Sequence, residues 1–197
     1  DLKEILTDYL AEQTKQLTDL LARDTAKYLV ATVTGDGAGL DAETLARWKT
    51  YLADENKEHS YLQGWYGVVK GNPTEAAVRA EAEKYQAFVL ELLDEAREGD
   101  DKNYVAFGGR KGQKNENTRQ YTNIVSLPVL KFYQWRELAY KPYVTDGFKA
   151  PAGVYFYDSK QIERFLGGIA KAYVEKLRAE IAAAEKELPP VYPFVHA

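Results

Sequence analysis

At 197 residues and a net charge of −4, the chain is long enough to bury a core without a metal or disulfide staple. It contains no cysteine, which excludes disulfides, thiolate metal sites, iron–sulfur clusters and cysteine nucleophiles together. No apolar run approaches the roughly 18–20 residues of a membrane span and no signal-peptide pattern is present. The chain therefore reads as soluble, with its compartment left open.

The first predicted helix runs from about Leu2 to Tyr28, where Leu2, Ile5, Leu6, Tyr9, Leu10, Leu17, Leu20 and Leu21 form one apolar stripe. "YLVATVTG" (28–35) then reads as a short β-branched strand closed by glycine. A second helix, about 42–58, has Asp41 as N-cap, Leu40 and Leu45 as a hydrophobic staple, and Trp48, Tyr51 and Leu52 as its buried face. "GWYGVVKG" (64–71) reads as a short strand or tight turn. Asn72, Pro73 and Glu75 supply a cap, a first-turn proline and a capping-box acid for the third helix. Its core face is Val78, Ala82, Tyr85, Phe88, Val89, Leu92 and Leu93, and Gly99 is expected to stop it.

Residues 103–157 break the pattern into strand-like or mixed pieces punctuated by Pro128, Pro142 and Pro151. A fourth helix, about 159–187, is expected behind Asp158 as cap and Gln161 at its third position, with Tyr157 and Ile162 as staple. Its core side would be Ile162, Phe165, Leu166, Ile169, Tyr173, Leu177 and Ile181. "LPPVYPFVHA" closes the chain as an extended apolar tail. No repeat, low-complexity tract or long linker separates parts, so a single domain over 1–197 is expected.

Charge and aromatics are uneven. Residues 104–150 carry eight Lys and Arg against three acids, a local +5 that leaves −9 for the rest. Residues 104–157 hold twelve of the 25 aromatic side chains. Within this stretch "FGGRKGQKNENTR" (107–119) is basic and glycine-rich. It is not a P-loop, because Lys114 does not directly follow a glycine and no Ser or Thr comes next after it. Its glycines would let amide groups turn inward as an anion nest, with Arg110, Lys111, Lys114 and Arg119 as a weak anion-binding set; a solvated loop explains the same residues. "TGDGAGLDAE" (34–43) offers G-x-G-x-G where a dinucleotide fingerprint needs G-x-G-x-x-G, and Leu40 stands where the third glycine belongs. A turn accounts for it.

"KFYQWRELAYKPY" (131–143) alternates aromatic and basic residues as a base-stacking surface would, yet Phe132, Trp135 and Leu138 also fall on one helical face as core. Overall acidity argues against nucleic acid. The two imidazoles, His59 and His196, lack partners at metal-ligand spacing, so no metal or cofactor is expected. Asp146 and Asp158 lie among aromatics, where a carboxylate pKa rises, though a turn and a helix cap already account for them.

Stretches such as "AAVRAEAEKY" and "RAEIAAAEKEL" combine idealised starts with Ala, Glu, Lys and Arg on the solvent faces. In this, and in lacking both Cys and Met, the chain resembles computationally designed or redesigned soluble proteins over roughly 1–34, 41–58, 73–99 and 159–188. That resemblance implies a helical, thermostable, engineered scaffold. "KPYVTDGFKAPAGVYFYDSKQIERF", next to long terminal helices, is similar to the closing strands of extracytoplasmic Cache-type sensor domains, which would imply ligand sensing.

The fold expected is α+β, mainly α, with four long helices around one core and a small irregular β or loop region at 103–157. The function expected is non-catalytic binding or scaffolding. An aromatic small-molecule pocket would use Tyr133, Trp135, Tyr140, Tyr143, Tyr155 and Tyr157, because tyrosine hydroxyls need partners when buried. The alternative is an enzyme acting on a phosphate or carboxylate substrate. There Arg110, Lys111, Arg119 or Arg136 would hold charge and Asp146 or His59 would move a proton. No catalytic constellation reaches motif strength. Neither nucleic-acid binding nor membrane insertion is expected, and oligomeric state is left open.

Overall fold

A computed structural model describes residues 1–53, 59–106, 125–140, 143–145, 148–150 and 152–187, with only the backbone of 143–145 and 148–150. The chain divides into two compact units, one of Thr18–Phe156 and one of Asp1–Leu17 with the chain from Tyr157 onward.

Helix α1 spans Leu2–Arg23, and α2 (Thr25–Thr34) follows after a break at Asp24. The strand expected over 28–35 is therefore helix. Tyr28, Leu29 and Ala31 are buried in α2, and burial on one helical face outweighs the β preference of Val and Thr. Gly35 ends α2 in the left-handed region (φ 78°), its N–H donating to Ala31 O at 3.0 Å. Asp41 caps α3 (Ala42–Ala53) as expected, accepting from both the Thr44 N–H and the Thr44 hydroxyl at 2.8 Å. A short 3₁₀ turn (Ser60–Leu62) leads into α4 (Gln63–Val69), another helix where a strand or turn was expected; its Trp65 is buried.

Helix α5 covers Glu75–Ala106 and is the axis of the larger unit, with α2, α4 and α6 (Val129–Ala139) packed against it. Thr74, not Asn72, caps it, its hydroxyl accepting from the Ala77 N–H at 3.2 Å. Gly99 does not stop α5. A lone helical glycine costs only about 1 kcal/mol against alanine, and Ala96 and Asn103 are buried on either side of it. The core gathers around Trp48, which is fully buried and meets Tyr51, Tyr85 and Tyr155 edge-on at 5.7–6.2 Å.

The α+β expectation is corrected. Among the described residues there are seven α-helices, and β structure is a single antiparallel pair, β1 (Tyr143–Thr145) with β2 (Phe148–Ala150). The fold is mainly α. Much of the supposed β region is instead α6 and a turn, 153–156, laid along its end and closed by Phe156 N–H donating to Gly153 O at 3.0 Å. That stretch satisfies the carbonyls α6 leaves free: Gly153 N–H donates to Tyr140 O at 2.9 Å, and Tyr155 N–H to Leu138 O at 2.7 Å. Arg47 holds the stretch from α3, donating to the Gly153 and Phe156 carbonyls while pairing with Glu43 at 2.7 Å.

In the second unit the fourth predicted helix is interrupted. Asp158 and Gln161 form the expected reciprocal cap, with Gln161 N–H to Asp158 Oδ1 at 2.8 Å and Asp158 N–H to Gln161 Oε1 at 3.2 Å. It heads only a 3₁₀ turn, Ile162–Phe165. Leu166 is extended, Gly167 and Gly168 follow, and α7 (Gly168–Glu187) starts afresh. The interruption changes the phase, so α7 buries Val174 and Leu177 while Ile169 is 92% exposed. Tyr9 meets Tyr173 edge-on at 4.8 Å and Lys3 pairs with Glu185 at 2.6 Å, which sets the start of α1 antiparallel to α7. No helix among the described residues is long and apolar enough to cross a membrane.

Candidate functional site

The C-terminal turns of α5 and the segment 125–140 enclose a cleft of about 280 Å3. Two devices place them face to face. Asn103 donates from Nδ2 to Val125 O (2.7 Å) and accepts from Val125 N–H at Oδ1 (2.8 Å), which fastens the chain ahead of α6 to α5. Lys131 then reaches back from α6 to Glu91 (2.9 Å) and Glu95 (2.5 Å). Pro128 opens α6, its carbonyl accepting from Phe132 N–H at 2.8 Å. The outcome is an aromatic wall of Phe132, Trp135 and Tyr140 opposite Glu95, Glu98, Asp100 and Lys102.

The lining carries three carboxylates and one ammonium, with Glu95 paired to Lys131 at 2.5 Å and Glu98 to Lys102 at 2.6 Å, which leaves a net negative charge. The Lys102 ammonium, hydrogen-bonded to Glu98, holds that carboxyl below its ordinary range, so it is charged at neutral pH. Burial pushes the Tyr140 hydroxyl up, and the nearby Asp100 charge adds to the effect. Phe132 stands edge-on to Tyr140 at 6.0 Å, which fixes the relation of the two rings. Aromatic faces beside carboxylates attract a cation twice over, through the ring quadrupole and through charge-assisted hydrogen bonds.

Of the residues expected in an aromatic pocket, the cleft contains Trp135 and Tyr140. Tyr133 lies on α6 outside it, with the Arg136 guanidinium 4.7 Å from its ring centre. Tyr155 is core, its hydroxyl 2.5 Å from Thr25 Oγ1. Tyr157 belongs to the other unit, packed edge-on against Phe165 at 5.0 Å. The Tyr143 side chain, Arg110, Lys111, Lys114, Arg119, Asp146 and His196 lie outside the described residues. The acids of the cleft were missed, because "DEAREGDD" (94–101) looks like any solvated helix face.

His59 has a partner that spacing does not reveal. Its Nε2 lies 2.8 Å from Glu137 Oε2, within ion-pair distance but without hydrogen-bond alignment. The same carboxylate oxygen accepts from the Tyr51 hydroxyl at 3.0 Å, and Gln134 Nε2 donates to that hydroxyl at 2.6 Å. The His59 ring stacks on Tyr51. An imidazole, a carboxylate and a phenol in contact have the ingredients of acid–base chemistry. None of these residues lines the α5–α6 cleft, however, and the cluster ties α3 to α6. Among the described residues no group of three His, Asp or Glu side chains is arranged to hold a metal ion.

No family model matches the chain, and no curated protein or solved structure matches it.

Proposed function

We propose that the protein is a non-catalytic binding protein whose ligand is a small organic cation held in the α5–α6 cleft. The observation that carries this reading is the opposition of Phe132, Trp135 and Tyr140 to Glu95, Glu98 and Asp100 across one cleft. Its volume, about 280 Å3, is close to the lower end of small-molecule sites, roughly 300 Å3, which suits a compact ammonium with one apolar group. A non-catalytic role is supported by the separation of the His59–Glu137–Tyr51 cluster from the cleft lining.

Calorimetric titration with benzyltrimethylammonium at low salt tests the proposal. The wild-type chain is expected to bind it, with affinity that falls as salt rises. Trp135→Ala should lose roughly 0.5–2 kcal/mol of binding, the range of a cation–π contact. Glu98→Gln with Asp100→Asn should weaken binding while leaving the aromatic wall intact. Absence of binding to the wild-type chain, or equal binding to all three proteins, would refute the reading.

A further inference from the structure

A second concavity, about 470 Å3, lies among α2, α3 and α4 and has the opposite electrical character. Its apolar surface comes from Val33, Leu52, Trp65 and Val69. Val33 is 43% exposed at the end of α2, a large aliphatic side chain left facing solvent. Tyr66 contributes little polar capacity, because its hydroxyl donates to Leu52 O at 3.2 Å. Among the described residues no carboxylate lines the groove, and its charged residues are Lys49 and Lys70. Among the described residues neither lysine has an ion pair or hydrogen bond from its side chain, whereas Lys84, Lys102 and Lys131 each meet a carboxylate within 3 Å. Among the described residues this gives the groove positive charge over an apolar floor, in a chain of net charge −4.

We propose that this groove binds a small amphipathic anion: a carboxylate on an acyl or aryl body, with the body against Val33, Leu52 and Val69 and the carboxylate between Lys49 and Lys70. The volume falls inside the roughly 300–1,000 Å3 range of small-molecule sites. Lysine suits this position. Its ammonium is a mobile point charge that follows a carboxylate, and its aliphatic stem adds to the apolar wall. A cation is repelled here, so the two clefts sort ligands by charge. The inference is independent of the cation proposal, because the two sites share no residue.

The test is calorimetric titration at low salt with decanoate and, separately, decyltrimethylammonium. Decanoate is expected to bind the wild-type chain. In Lys49→Gln with Lys70→Gln, both exposed positions whose loss leaves the core untouched, its Kd should rise at least tenfold. Glu98→Gln with Asp100→Asn should leave decanoate binding as it was. No binding of decanoate, unchanged binding in the lysine variant, or tighter binding in the acid variant would overturn the proposal, the last by moving the site to the other cleft. Headgroups of anionic lipids share this chemistry, so sedimentation with phosphatidylglycerol vesicles separates the sources. Co-sedimentation without decanoate binding would reject the free carboxylate.

Discussion

Above pH 10 the three tyrosines packed around Trp48 should by themselves cost the larger unit about 4 kcal/mol of stability per pH unit. Tyr51, Tyr85 and Tyr155 are all buried around Trp48, and burial is the leading cause that pushes each hydroxyl well above the ordinary phenol range. The Glu137 charge raises Tyr51 further, while the Thr25 hydrogen bond offsets part of the effect at Tyr155. The sign follows from proton counting. Below pH 10 both states hold all three protons, and the stability is fully present. Above it the unfolded chain releases them and the folded chain does not, so stability falls until the raised folded values are reached, at roughly 1.4 kcal/mol per tyrosine per unit. Against a typical total of about 5–15 kcal/mol, two such units are enough to unfold a domain. Urea midpoints at pH 9, 10 and 11 measure the slope, and tyrosinate absorbance should show late phenols, these three among them, ionising together with unfolding. All fifteen phenols titrating near pH 10 in a chain that keeps its helical circular dichroism would contradict the burial.

Replacing Gly153 with alanine should destabilise the fold by roughly 1–3 kcal/mol, the usual cost of overpacking. A Cβ there would stand 2.7 Å from the carbonyl carbon and oxygen of Leu138 and 2.8 Å from Ala139 N. These are backbone atoms at the end of α6. The Leu138 oxygen already accepts from Tyr155 N–H at 2.7 Å, so moving it disturbs the bond that satisfies it. Gly67, inside α4, is the control: an added Cβ meets nothing within 4 Å. Gly67→Ala should raise stability by about 0.5–1 kcal/mol, the helical preference of alanine over glycine. Thermal melts of the two variants should move in opposite directions, and a Gly153→Ala melt matching the wild type would refute the crowding.

The contrast between those two glycines also marks what the sequence makes legible. Both read alike as residue types, and only the distant neighbours distinguish them. Features set within one helix are readable from it. Asp41 caps α3, and the stripe Val78, Ala82, Tyr85, Val89, Leu92 and Leu93 is buried on α5. Features set by competition between local preference and packing are misread, as in the β-branched α2 and at Gly99. The reciprocal cap at Asp158 is a subtler case. The hydrogen bonds are present, but a cap states where a helix starts and carries no information on how far it runs before Gly167 and Gly168. The cleft divides in the same way. Trp135 and Tyr140 stand out by type, whereas Glu98 and Asp100 face them only because Asn103 bonds to Val125 across 22 residues. His59 and Glu137 likewise meet through tertiary packing that no periodicity encodes.

The amide groups of 153–155 that close the end of α6 also bear on thermodynamic linkage. They fix the C-terminal end of α6, Tyr140 included, without a ligand, so for the proposed cation little ordering of that end would remain to oppose association. Under the proposed function, occupancy of the cleft and integrity of that backbone seam would be two readings of one equilibrium. A ligand at a hundred times its Kd would add about 2.7 kcal/mol to unfolding, and whatever loosens the seam lowers apparent affinity by the fraction of chains in which the wall is out of place.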